Sequence, residues 1–161
     1  MTTHDTIAAA YRMGGQLVHR MTADLTPADF GHQPSPGANS AAWIVGHLAA
    51  TLWRTADRLG AADLAPLPHG LLDAFTQTGK PAGDQSGAGD PAALVALFDT
   101  NLARVIQAVA LIPAAKLTEP ATRPGFATTF GEGVLFGALH VAMHSGHLSH
   151  IRRSLGKPPV V

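Results

Sequence analysis

Four of the nine histidines in this 161-residue chain fall within eleven consecutive positions near its C-terminal end: His140, His144, His147 and His150. At about 100° per residue of an α-helix, His144 lies ~40° and His147 ~20° from His140, so these three share one stripe. Imidazoles one turn apart can bind a single metal ion from one helix. A histidine on an apolar face is also commonly a hydrogen-bonded core residue, so both interpretations stay open at this point.

A fifth histidine of interest, His47, lies in a distant apolar segment, one turn from Trp43 and one turn from Thr51. Taken alone, His47 is more simply a buried structural residue. Together with His140 and His144 it would supply three neutral imidazoles from two helices, which leaves coordination positions open. An open site of this kind is typical of catalytic zinc, whereas structural zinc sites are usually closed by four protein ligands.

The composition restricts the donor set. The chain has no cysteine, so a metal would be bound by histidine, carboxylate or water. It contains two glutamates, too few for the carboxylate-bridged di-iron sites of some helical bundles. Imidazole suits zinc, nickel, copper and iron alike, so the residues do not identify the metal.

The histidine cluster requires a long C-terminal helix, predicted from about Thr129 to Leu155. Thr129 and Glu132 form a capping box at its start, and Gly156 followed by two prolines ends it. Phe136 and Ile151 continue the histidine stripe at helical spacing, so the same stripe is predicted to be the apolar, core-facing side of the helix.

Three further helices are predicted: Asp5 to about Asp24, Asn39 or Ser40 to about Leu59, and Asp90 to a stop at Pro113. Residues 60–89 are rich in glycine and proline and form a long connection with one short helix around Leu71–Gln77; it could be the rim of an active site or a loop without function. No segment has the pattern of a strand. The prediction is an all-α four-helix bundle forming one domain over residues 1–161.

Charge patterning argues against some partners. Eleven basic residues balance eleven acidic ones and no block of like charge occurs, so neither nucleic acid nor an anionic membrane is an expected partner. Arg152 and Arg153 are predicted to complement the C-terminal end of a helix dipole. With an acidic residue, Asp5, near the N-terminus and no long uncharged apolar run, we expect a soluble cytoplasmic protein.

Two motifs resemble the DinB/YfiT-like superfamily of bacterial metal-binding four-helix bundles. The first is Asn-Ser-Ala-Ala-Trp-Ile-Val-Gly-His-Leu-Ala at residues 39–49, and the second is His-Val-Ala-Met-His-Ser-Gly-His-Leu at residues 140–148. The resemblance covers essentially the whole chain. It implies that His47, His140 and His144 bind a divalent metal, with zinc or nickel as the leading choices, and that the protein is a homodimer.

The resemblance also suggests an activity. Some similar proteins transfer low-molecular-weight thiols such as bacillithiol or mycothiol to electrophiles, and thiol transfer is the leading hypothesis here. A metal-dependent hydrolase and a non-catalytic metal- or ligand-binding module of a stress response are the alternatives. His147 replaces a common glutamine and is interpreted as an outer hydrogen-bonding partner, an acid/base catalyst or a competing metal ligand. Thr51 replaces a frequent carboxylate, which removes one candidate for proton transfer.

Other prominent side chains are expected to have structural or solvent roles. Trp43 and Trp53 are predicted to pack in the core or in a dimer interface, with the lining of a pocket as the alternative. Arg54 and Arg58 are predicted to be solvated, with contact to an anionic substrate as the alternative. Two isolated histidines are predicted to be solvated: His19 and His32.

Overall fold

A computed structural model describes residues 1–61, 64–75, 83–85, 88–121, 125 and 127–160. Within these residues the chain forms seven α-helices and, as predicted, no strand. Their bounds are α1 Thr3–Thr22, α2 Pro27–Gly31, α3 Ala41–Arg58, α4 Leu71–Phe75, α5 Pro91–Ala110, α6 Ala114–Leu117 and α7 Phe130–Ser154.

The four long helices, α1, α3, α5 and α7, form the predicted bundle, in which each helix packs against two others. Hydrogen bonds between neighbouring helices show which of these helices run parallel and which antiparallel. Tyr11 donates to the Val134 carbonyl and Arg152 to the Met21 carbonyl, so α1 and α7 are parallel. His4 donates to the Ile112 carbonyl near the other end of α5, which makes α1 and α5 antiparallel.

Local capping chemistry explains where the helices begin. The Ser40 hydroxyl accepts from the amide of Trp43, and the predicted caps at Asp90 and Thr129 are also present. Two short helices were not predicted: α2, which has its own capping box at Thr26, and α6. The predicted helix around Leu71–Gln77 is present as α4 over its first five residues, and the rest of it lies outside the described residues.

The core side of α7 differs from the prediction over most of the helix, although Ile151, predicted to be core-facing, is 1% exposed. The buried face of α7 is formed by Val134, Ala138, Val141, Leu148 and their neighbours, and the histidine stripe lies about 100° further around the helix. Phe136, predicted to be core-facing, is 38% exposed. The buried face includes small residues, which let α7 approach α1 closely. Because these residues contribute little hydrophobicity, this face is not the most hydrophobic stripe of the helix.

Arg152 has a larger role than the predicted complement to the helix dipole. Only 4% of its surface is exposed, and its guanidinium forms an ion pair with Asp24 while donating to the carbonyls of Met21 and Pro158. A buried charge is tolerable only with such partners. Arg152 therefore fixes the end of α7 to the segment that follows α1.

Among the helices of the described residues, α5 is long and apolar enough to cross a membrane by length and composition alone. The core helix of a soluble protein meets the same criterion. Here Leu94, Phe98, Val105 and Val109 are buried in the core of the bundle, which accounts for the apolar character of α5.

Candidate metal centre

His47 lies in the middle of α3 and is fixed on two sides. Its imidazole is 7% exposed, and Nδ1 donates a 2.7 Å hydrogen bond to the backbone carbonyl of Phe75 at the end of α4. The Trp43 ring stacks on the imidazole with 4.9 Å between centroids and an angle of 8° between planes. Because Nδ1 carries the proton, Nε2 presents a lone pair, as a metal-bound histidine requires.

The Nε2 atoms of the three predicted ligands converge. His140 Nε2 lies 3.3 Å from His47 Nε2 and 3.2 Å from His144 Nε2, and all three ligand atoms lie within 4.8 Å of one another. Ligands about 2.0–2.1 Å from a tetrahedral ion are roughly 3.3 Å apart. The cluster therefore has the spacing of a three-histidine metal site.

Hydrogen bonding alone accounts poorly for this convergence. A ring nitrogen carries either one proton or one lone pair, yet Nε2 of His140 faces two other ring nitrogens at close range. A divalent cation accepts all three lone pairs at once. The three residues are therefore compatible with a divalent metal, and the predicted grouping of His47 with His140 and His144 is present in the structure.

The electrostatics favour neutral imidazoles. Burial lowers the pKa of His47, and burial together with the neighbouring His47 and His147 lowers the pKa of His140. The pKa of His144 falls to about 3, first through burial and then through His140, His47 and His147. All three side chains are thus deprotonated at neutral pH, as metal binding requires.

His147 lies next to the cluster, one turn further along α7. Its Nδ1 is 3.3 Å from Nδ1 of His144, on the side of the ring opposite Nε2. His147 is exposed to solvent, and so is His150. His147 is therefore a hydrogen-bonding neighbour of His144. Its Nδ1 contacts the ring nitrogen of His144 that faces away from the other two histidines.

An open cleft of about 740 Å³ lies beside the cluster, between α3 and the N-terminal half of α7. His140 lines it, as do Thr51 and both arginines of α3, Arg54 and Arg58, with Phe136 on the opposite side. A small molecule in this cleft would therefore have access to the histidine cluster from solvent.

The other predicted residues lie outside the cluster. His19 is exposed, as predicted, and donates to Asp99. His32 was predicted to be solvated but is half-buried, because its imidazole contacts the Ser154 hydroxyl at the end of α7. Trp53 donates to the Ala65 carbonyl, and Trp43 faces His47.

Two contributors were missed by the sequence reasoning. The Phe75 carbonyl belongs to the backbone, and no residue pattern indicates that one peptide oxygen will face His47. The stacking of Trp43 had a visible signal, since Trp43 precedes His47 by one helical turn.

Comparison with known proteins identifies the fold. The family model of the DinB superfamily matches residues 10–148. The structure is similar to the crystal structure of a conserved protein from Enterococcus faecalis, with a TM-score of 0.73, 17% sequence identity and coverage of 98% of this chain and 99% of that one. The comparison with curated proteins gave no significant match.

Proposed function

The chain belongs to the DinB superfamily, and from this premise we propose that it is a metal-dependent enzyme that transfers a low-molecular-weight thiol to an electrophilic small molecule. The observation that carries the proposal is the convergence of three neutral imidazoles beside a solvent-open cleft. A non-catalytic binding module would not need the cluster to be accessible, so the cleft favours an enzyme.

His47, His140 and His144 would bind the ion, with zinc or nickel as the proposed metal. A divalent cation held by three neutral ligands acts as a Lewis acid and lowers the pKa of a thiol or of water. The chain has no cysteine, so the sulfur must come from a cosubstrate. In the reaction the thiol would release its proton to solvent water, and its sulfur would form a bond to the electrophilic carbon. The leaving group departs with the electron pair of the bond that breaks.

The remaining residues would hold this arrangement in place. The Phe75 carbonyl fixes the tautomer and the plane of the His47 ring. We assign His147 the matching role for His144: with Nε2 of His144 directed at the ion, its Nδ1–H donates to Nδ1 of His147. His147 is then a positioning residue, which is the first of the roles predicted for it from the sequence.

We also propose that the protein is a homodimer. Met13 on α1 is 66% exposed, and Leu139 and Met143, one turn apart on the adjacent α7, are 53% and 58% exposed. Large apolar side chains exposed near one another commonly mark an interaction surface. Sedimentation of the wild type and of Leu139→Glu measures this directly, and a monomeric wild type would contradict it.

The function is tested with protein loaded with Zn²⁺ or Ni²⁺ and a thiol-reactive chromogenic electrophile. We expect consumption above the uncatalysed rate only when a small thiol is supplied. His47→Ala should abolish that consumption, whereas His150→Ala, an exposed histidine of the same helix, should not change it.

Two results would contradict the proposal. Equal rates with and without the metal would separate the reaction from the histidine cluster. Turnover of an ester or amide without thiol would instead indicate the hydrolase.

A further inference from the structure

The cleft beside His140 carries a charge pattern that the thiol-transfer proposal does not use. Three residues of α3 lie on one stripe: His47, Arg54 and Arg58. The two arginines follow His47 by seven and eleven residues, so each lies within about 20° of His47 around the helix. Arg54 and Arg58 line the same cleft as His140. The stripe therefore runs from the histidine cluster to two guanidinium groups.

Both guanidiniums are available to a ligand. Arg58 uses Nε and Nη2 in hydrogen bonds to the Arg54 carbonyl and the Thr55 hydroxyl, which leaves further N–H groups of its five. In the described part of the chain, no ion pair joins Arg54 or Arg58 to a carboxylate. Asp57 also lines the cleft, so two cations face one anion there and the cleft is positively charged.

The opposite wall is apolar and open. Gly133, Gly137 and Val134 of α7 line the cleft on this side. Phe130 and Phe136 add aromatic surface to the same wall. A ligand that fits has an apolar body and an anionic end.

From this arrangement we propose that the cleft binds a small organic carboxylate, with the carboxylate held by Arg54 and Arg58 and the rest of the molecule extending toward His140. The proposal rests on the proposed function, since it names the class of substrate for that site. Arg54 lies about 10 Å and Arg58 about 16 Å along the helix axis from His47. Because arginine side chains are long, the ligand spans roughly the length of a phenylbutyrate or a mercaptohexanoate.

The test is a titration of metal-free and Zn²⁺-loaded protein with 4-phenylbutyrate and with its neutral amide, in which calorimetry or NMR measures the affinity. We expect the carboxylate to bind more tightly than the amide. Arg54→Gln and Arg58→Gln should each weaken it about tenfold, because hydrogen bonds to a charged group are the strong ones. Arg20→Gln removes an exposed charge from α1 and should leave binding unchanged.

Either the thiol or the electrophile of the proposed reaction can carry the carboxylate, and a second pair of probes distinguishes them. The thiol carries the carboxylate if 6-mercaptohexanoate binds more tightly than 6-mercaptohexanol, if this preference depends on the arginines, and if Zn²⁺ tightens the binding. Arginine dependence confined to 4-phenylbutyrate would place the carboxylate on the electrophile. Both outcomes support an anion site.

Equal affinity for 4-phenylbutyrate and its amide, or unchanged affinity in both glutamine variants, would overturn the inference. Because binding is also measured on metal-free protein, this result does not depend on whether thiol transfer occurs. Failure of the thiol-transfer assay would likewise leave the anion site standing.

Discussion

The contact between Gly46 and Phe75 gives the most direct test of how the fold positions the metal centre. A Cβ added at Gly46 would lie 2.5, 2.6 and 2.7 Å from three atoms of the Phe75 ring. Ordinary contact begins near 3.5 Å, so the ring must move by about 1 Å. The same residue accepts the hydrogen bond from His47 through its carbonyl, at 2.7 Å. If the backbone of Phe75 moves with its ring, a displacement of that size lengthens this bond beyond hydrogen-bonding distance.

Gly46→Ala should therefore lower two quantities together. Overpacking a buried ring that is 5% exposed costs about 1–3 kcal/mol in the free energy of unfolding, and the gain of alanine over glycine inside a helix offsets about 1 kcal/mol of this cost. Loss of the hydrogen bond that orients a metal-binding histidine typically weakens metal affinity by about 10- to 100-fold. Urea unfolding of the metal-free protein measures the first, and competition for Zn²⁺ with a chromophoric chelator measures the second.

Gly146→Ala is the matched control. Gly146 is also helical, lies close to the cluster, and has no atom within 4 Å of an added Cβ. Alanine there should stabilise the helix by about 1 kcal/mol and leave Zn²⁺ affinity unchanged. If Gly46→Ala lost stability but kept the wild-type affinity, the ring would have repacked without moving the carbonyl, and the proposed coupling would be refuted.

Two further predictions concern the imidazoles. Since the pKa of His144 in the folded protein lies far below that of an unfolded histidine, protonation favours the unfolded chain. The metal-free protein should lose stability as the pH falls from about 6.5 toward 4, as measured by urea titrations at each pH. His144→Gln should show a shallower loss, and equal pH dependence of the free energy of unfolding in the two proteins would contradict this. Because Trp43 stacks on His47, Zn²⁺ should change the tryptophan emission of Trp53→Phe but not that of Trp43→Phe, and equal responses would place the metal elsewhere.

Much of the fold follows from local chemistry that the sequence displays. Ser40, Asp90 and Thr129 each combine a capping side chain with the start of an apolar periodic segment, and each begins a long helix. The convergence of His47 with the pair on α7 was predicted from helical spacing together with the resemblance, and it is present.

The face of α7 was predicted wrongly for a physical reason. Positions 138 and 145 are alanine and serine, which carry little hydrophobicity, yet both are buried against neighbouring helices. Leu139 and Met143 are strongly hydrophobic and are exposed. Burial in this helix follows the closeness of packing more than the apolar character of individual residues, and periodicity alone does not reveal it.

Contacts between distant segments were also beyond the sequence. Arg152 pairs with Asp24 across 128 positions, and neither residue has a neighbour that indicates the pairing. The Phe75 carbonyl reaches His47 from the short predicted helix of the long connection, and nothing in that segment indicates which backbone oxygen will face His47. Both contacts depend on where the chain returns in space, which is a property of the assembled bundle.

The glycines of the helices show how closely the site depends on the backbone. A glycine within a helix costs roughly 1 kcal/mol relative to alanine, and at two positions the structure shows which neighbour occupies the space that a side chain would fill. Gly46 allows Phe75 to reach His47, and Gly137 leaves space for the Tyr11 hydroxyl, which donates to the Val134 carbonyl. Gly137 also lines the cleft that leads to His140. The missing side chain of Gly46 thus helps to position His47 through Phe75, whereas that of Gly137 serves the contact between α1 and α7, and alanine substitutions separate the two contributions.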